Sequence, residues 1–424
     1  MTQLKRSLSL FDATAMALGA IIGAGIFVIS GVASGLAGPA VVLSIIIAGT
    51  VSSFTAFSFV KLASKFTQEG GPYVYARFVI SDFAGFITGW IWLFANVVAG
   101  ATVSIGLASY VVVLFPQLPL VPIAVSSVLV LTAFNIIGIK QSSIFNAILV
   151  LLKLSALSLF VIIGFSHLNF SFYEHFAPNG VSGILSASAL IFFAYTGFGR
   201  PATAAEEIKD PTRTIPRSIV LSLVLSSIVY ILVGIVSIGL VPYQQLANSG
   251  SPLSDAIFFG TRIQWLKVFV SFAAIVATVS VLLTTVIGVS RVSFAMARDS
   301  LLPKFLSKTH DKFATPYLAI FVSGAAIAVL PMISGLKETA NVTNFGSLIA
   351  YALVNLCAII LIKRESIKKT ARFFAYLIIP TLGLISCVSL LYFLSPLSWL
   401  IGISWVALGT VYFVMKKKRS KAKT

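Results

Sequence analysis

What most limits this chain is a succession of long apolar runs separated by short polar stretches. They lie at roughly 10–36, 40–63, 83–115, 121–139, 143–166, 183–208, 217–241, 265–297, 316–334, 342–362, 372–394 and 398–415. One bilayer crossing takes about 20 apolar residues as a helix. A crossing segment must satisfy its own backbone, and barrel strands would alternate over about 10 residues instead. The pattern predicts an all-α integral membrane protein of twelve transmembrane helices. Those helices would consume roughly 240 residues, so the loops must be short. Of the 424 residues, 58% are apolar and 10% charged; soluble domains carry about 45–50% and about 25%. A soluble enzyme, a disulfide scaffold and a disordered chain are thereby excluded. The first run, at more than about 20 residues, exceeds a signal-peptide core of about 7–15, so it reads as a retained span.

The formal net charge is +18, with 30 Lys and Arg against 12 Asp and Glu. Its distribution is that of a membrane topology signal rather than of a nucleic-acid partner. Only Arg262, Lys267 and Lys337 fall on the side opposite the N-terminus, and only Lys153 and Arg200 fall within spans. The excess of Lys and Arg marks the cytoplasmic side, which predicts both termini in the cytoplasm and a place in the cell (plasma) membrane. Residues 1–9 form the N-terminal stretch, and 416–424 a basic tail that either lies on anionic headgroups or is simply solvated. The two cysteines, Cys357 and Cys387, sit inside spans. No Cys/His cluster has metal spacing, and no catalytic Ser, His or Asp constellation lies at depth. No metal, cofactor or enzymatic activity is expected; the oligomeric state is not legible.

Two spans are interrupted. The first holds Gly19-Ala20-Ile21-Ile22-Gly23-Ala24-Gly25, and the sixth holds Tyr195-Thr196-Gly197-Phe198-Gly199-Arg200-Pro201. Gly weakens a helix, and Pro removes a donor and clashes with the preceding turn. Irregular backbone at membrane depth is tolerated only where it lines a cavity or lies within protein. Gly19 and Gly23 alone would equally suit close helix packing. The pairing of two breaks five spans apart favours an inverted repeat with a binding site between its halves.

These residues carry a family resemblance. Gly19 to Phe27 resembles the first-span signature of the amino acid–polyamine–organocation transporters. Glu69-Gly70-Gly71-Pro72-Tyr73-Val74-Tyr75, with Gly85-Phe86 and Gly89-Trp90, resembles their loop and third-span motif. Phe192 to Phe198, Glu206-Glu207 and Asp210 to Arg217 resemble the sixth span and its loop. Ala295 to Asp299, Leu302-Pro303 and Thr343 to Gly346 match two later motifs. The resemblance, to the proton-coupled, sodium-independent members, implies the LeuT-type fold. Residues 10–166 and 183–364 would be its five-helix inverted repeats, and 370–415 two peripheral spans. It further implies that N–H groups near Gly23, Ala24 and Gly25 hold a substrate carboxylate. The carbonyls of Ile21, Phe193 and Thr196 would hold the amine, with Phe193 as an aromatic lid.

No Asp or Glu lies at mid-depth in a span, which disfavours cationic substrates and favours neutral amino acids. Lys153 lies ten residues into its run, about 15 Å deep. An ammonium there costs about 2.5–3.5 kcal/mol, so it must gain partners or shed its proton. By the resemblance it stands where sodium-coupled relatives hold sodium, with the carbonyls of Gly19 and Ile22 and the hydroxyls of Thr284 and Thr285 as expected partners. It either couples proton movement to the substrate or serves as a structural pin. Arg200, which departs from the family pattern, either faces a cytoplasmic vestibule or reads substrate charge; Phe198 beside it is a further candidate. The expected function is secondary active amino-acid transport with protons as partner, by alternating access. An amino-acid exchanger and a transporter-like sensor are the alternatives.

Overall fold

The computed structural model describes residues 6–68, 70–137, 140–313, 315–364 and 371–421. Glu69 and residue 370 therefore lie outside the described residues, as do the tails' ends. Among the described residues the chain is helical, with a single isolated β-bridge and no strand. In order the helices are α1 (Leu10–Ile21), α2 (Ser30–Ala37), α3 (Val41–Ala63), α4 (Pro72–Val79), α5 (Asp82–Leu114) and α6 (Leu120–Ile137). There follow α7 (Lys140–Phe165), α8 (Gly180–Tyr195), α9 (Arg200–Thr203), α10 (Pro211–Leu240), α11 (Tyr243–Asn248) and α12 (Pro252–Thr261). The chain closes with α13 (Gln264–Arg298), α14 (Tyr317–Val329), α15 (Leu336–Arg364), α16 (Ala371–Tyr392) and α17 (Pro396–Lys421).

Among the described residues nine stretches are long and apolar enough to cross a membrane, and Tyr317–Met332 and Leu377–Tyr392 are shorter apolar helices. The first of the nine, Leu10–Ala63, has 54 residues, about 80 Å if straight. That length exceeds a hydrocarbon core of about 30 Å, and the stretch is divided at Gly38–Ala40, where Gly38 takes φ 64°. Outward faces are apolar: Val220, Val224 and Ile228, at i, i+4 and i+8 on α10, are each more than half exposed. Such a belt suits lipid rather than water. Inside, hydroxyls bond back to their own helices, as Thr102 does to the Val98 carbonyl (3.1 Å) and Ser237 to that of Val233 (2.7 Å). Without those bonds each would be a costly orphan.

The centre of the bundle is α1, packed on α7, α10 and α13 and on the turn after α8. The apolar window of Leu10–Ala63 is 83% buried, against 17% for that of α17, which lies outside on α5 and α15. A capping box closes the start of α1, where Ser9 and Asp12 exchange hydrogen bonds. Leu8 then pairs with Ile208, and Lys209 N–H donates to the Leu8 carbonyl at 2.9 Å. The entry of the first interrupted span is thus tied to the exit of the second. The helices differ from the expected runs at their ends. α10 begins at Pro211 rather than 217, because proline at the first helical position needs no N–H partner and presets φ. The short helices α4, α11 and α12 lie in stretches read as loops.

Candidate functional site

The first interruption is one extended residue. Ile22, at φ −81° and ψ 99°, ends α1, and a π-helical turn at Gly25–Ile29 restarts the chain toward α2. The restarting helix opens with the N–H groups of Gly23, Ala24 and Gly25, which have no preceding turn to bond. The second interruption is tighter than the unwound stretch the sequence led us to expect. α8 stops at Tyr195, a 3-10 turn covers Thr196–Gly199, and Pro201 sits in the first turn of α9.

The two breaks touch. A Cβ on Gly197 would stand 2.4 Å from the Ala20 carbonyl carbon and 2.6 Å from Ile21 N, and one on Gly25 would stand 2.4 Å from Ala194 Cα. Only glycine lets the backbones come this near. Each carbonyl expected to face an amine already accepts a hydrogen bond. Tyr230 Oη is 2.7 Å from the Ile21 carbonyl and 3.2 Å from that of Ala194. Tyr351 Oη donates to the Thr196 carbonyl at 2.6 Å, and Thr196 Oγ1 to the Phe193 carbonyl at 2.9 Å. A carbonyl has a second lone pair, so an amine can still share these oxygens. Phe193 is buried near the breaks, while Phe198 packs its edge on Phe59 and tilts against Tyr351, each with centroids 5.3 Å apart.

Lys153 is fully buried on α7. Its Nζ donates to the carbonyls of Gly19 (3.0 Å) and Ile22 (2.7 Å), and it lies 3.4 Å from Ser280 Oγ. The break supplies these acceptors, since extended Ile22 aims its carbonyl off the helical ladder. The hydroxyl is that of Ser280, not of the expected Thr284 or Thr285. Thr284 Oγ1 bonds back to the carbonyls of Ser280 and Val281, and Thr285 Oγ1 accepts from Arg200. Ser280 lies one turn before Thr284 on the same face of α13. Asn146 completes the cluster, accepting from Ser280 Oγ (2.8 Å) and donating to the Ala15 carbonyl (2.9 Å).

Arg200 faces no open vestibule. It is 7% exposed. Its Nη2 donates to Asn96 Oδ1 at 2.7 Å and to Thr285 Oγ1 at 3.3 Å, and its guanidinium lies 5.4 Å from the Trp92 ring centroid. Nη1 is buried without a hydrogen-bond partner. Further along α13 and after α9 lie ion pairs. Arg291 meets Glu207 at 2.9 Å and Arg298 meets Glu206 at 3.4 Å. Arg77 bridges Asp82 and Asp299, and Tyr73 Oη donates to Asp299 at 2.6 Å. Burial and then the Asp299 bond push the Tyr73 hydroxyl above its ordinary value.

The sequence reading missed Tyr230, Tyr351, Asn96, Asn146 and Ser280. Their signal was weak: single polar side chains inside apolar runs, an arrangement that calls for an internal partner but names none.

The sequence profile of a family described as amino acid permease matches residues 8–415. A methylthioribose transporter of Bacillus subtilis is 32% identical, the match covering 98% of this chain and 95% of the relative. A branched-chain amino acid permease of the same organism is 31% identical, over 99% of this chain and 94% of the relative. A mitochondrial cationic amino acid transporter of Arabidopsis thaliana is 31% identical, over 84% of this chain and 62% of the relative.

Proposed function

We propose that this chain, which belongs to the amino acid permease family, performs secondary active transport of amino acids, driven by protons, independent of sodium and selective for neutral substrates. It is a carrier and not an enzyme. Twelve crossings in a LeuT-type arrangement, with both termini in the cytoplasm of a plasma-membrane protein, are part of the same reading. The nine long apolar stretches among the described residues, the division of the first, and the asymmetry of Lys and Arg support it.

The observation that carries the proposal is the cluster at Lys153. One ammonium joins the carbonyl of Gly19, in the last turn of α1, and that of Ile22, at the break, to α7 and α13. The N–H groups at Gly23, Ala24 and Gly25 lie just beyond, where a substrate carboxylate is favoured at a helix start. The carbonyls of Ile21, Phe193 and Thr196 receive the amine, Phe193 covers the substrate, and Phe198 buttresses the second break. Protonated Lys153 holds α1 against α7 and α13. Loss of its proton removes a charge-assisted donor from two carbonyls at once and frees the break to rearrange. Proton movement and substrate release then share one hinge, which is what coupling by alternating access requires.

A second reading, an amino-acid exchanger, draws on the same geometry. All three partners of Lys153 are neutral, so a lysine that stays charged would pin three helices permanently. Uptake of labelled amino acids into proteoliposomes separates the two, in sodium-free buffer with and without an inward proton gradient. Concentrative uptake that needs the gradient and is lost in Lys153→Ala supports symport. Uptake indifferent to the gradient but stimulated by internal amino acid overturns it in favour of exchange.

A further inference from the structure

We propose that Arg200 sets the charge selectivity of transport: its uncompensated charge beside the second break rejects amino acids with a cationic side chain. The inference rests on the amino-acid transport reading and adds the residue that filters substrates. Its ground is an imbalance of charge. Arg200 is 7% exposed, yet all its contacts are neutral: Asn96, Thr285 and the face of Trp92. No carboxylate pairs with it among the described residues, and its Nη1 has no partner at all. Space for a compensating side chain is closed on α13, where a Cβ at Gly288 would stand 2.0 Å from Nη1. Buried guanidinium groups ordinarily meet a carboxylate, because leaving one without a partner is costly. Here the positive charge is retained, and Lys153, while protonated, adds a second with only neutral partners.

The position gives that charge a use. Arg200 follows Thr196 by four residues through the 3-10 turn, about 6–8 Å along the axis. In the field of the guanidinium the two charges of an α-amino acid zwitterion nearly cancel. A third, net charge on the side chain does not. Taking a separation of about 8 Å between the guanidinium and a substrate side-chain charge, and an effective dielectric of about 20, two like charges shift an equilibrium by roughly 30-fold. A cationic amino acid pays that factor, and a neutral one of the same shape does not.

Lysine and norleucine are the probes, because they share a four-carbon side chain and differ by the terminal ammonium. In proteoliposomes carrying the wild-type protein, norleucine should compete with labelled leucine at least about 10-fold better than lysine does. Arg200→Gln should shrink that ratio about 10-fold or more, whereas Arg200→Lys should keep it. Asn96→Asp is the decisive variant. It keeps the side-chain shape and the oxygen that meets Arg200 at 2.7 Å, gives up the Asn96 Nδ2 bond to the Trp92 carbonyl one turn back on its own helix (2.8 Å), and places a carboxylate on the guanidinium, so the charge is cancelled; an unchanged melting temperature checks that the fold is kept. It too should shrink the ratio. A purely structural Arg200 would be held better by Asn96→Asp and would leave selectivity unchanged, and that result overturns the filter. If the wild type takes up neither leucine nor any other amino acid, the transport reading itself fails. A leucine carrier with an unaltered ratio in Asn96→Asp refutes the filter alone.

Discussion

Gly197→Ala tests the contact between the two breaks. The added methyl would stand 2.4 Å from the Ala20 carbonyl carbon, 2.6 Å from its oxygen and 2.6 Å from Ile21 N. Ordinary contact begins near 3.4 Å, so the two backbones must part by about 1 Å. All three atoms are main chain, and no rotamer change can relieve them. Overpacking of this kind costs about 1–3 kcal/mol. The same displacement stretches the bonds from Tyr230 to the Ile21 carbonyl and from Tyr351 to the Thr196 carbonyl, now 2.7 and 2.6 Å. Losing one neutral buried bond adds about 1 kcal/mol. The closed arrangement is then disfavoured by about 2–4 kcal/mol, which is roughly 30-fold to 10³-fold in population. Initial rates of leucine uptake into proteoliposomes should fall at least about 10-fold, with a lowered melting temperature in detergent. Gly250→Ala is the control, because its Cβ would meet only Ser109, at 3.7 Å, and both readouts should match wild type. Uptake by Gly197→Ala within about twofold of the control would refute the claim that this crossing must close to bare backbone.

Two further outcomes are expected. Asn355 is fully buried and joins three helices, accepting from Ser58 Oγ at 2.6 Å and donating to Thr55 Oγ1 at 3.0 Å, near Cys387; Asn355→Ala should cost about 1–3 kcal/mol, read as a lower melting temperature. Tyr73 is raised above 10.0 by burial and by Asp299, so the folded protein keeps that proton after the unfolded chain has lost it; the stability it contributes is present below about pH 10 and lost above, and the melting-temperature difference between wild type and Tyr73→Phe should shrink from about pH 9 to about pH 11.

Legibility differed sharply between backbone and side chains. The two interruptions were readable because glycine clusters and a proline act locally, through the φ they permit and the donor they lack. The depth of Lys153 was readable because helical rise converts residue number into distance. Its bonds to Gly19 and Ile22 were expected from the family resemblance alone; the structure supplies their reason, since carbonyls are released where α1 ends. The choice of Ser280 over Thr284 was not readable, since both hydroxyls lie on one face of α13 and a turn's difference in helix register decides between them. Arg200 shows the opposite failure. Nothing adjacent in sequence tells that a cation after a break is covered, because Trp92, Asn96 and Thr285 arrive from helices about 100 residues before it and 85 after it.

By itself, then, the sequence determined that this chain is a helical membrane protein with two broken spans and a buried lysine. Each of these follows from composition, period or local backbone chemistry. Only the tertiary structure decided that the breaks meet through Gly25 and Gly197, that tyrosines from α10 and α15 occupy the freed carbonyls, and that Arg200 is enclosed without a countercharge among the described residues. The physical reason is that hydrogen bonds and charges act over a few ångströms. Helices bring such partners together by packing, and packing among uniformly apolar surfaces leaves no periodic mark from which the neighbour could be read.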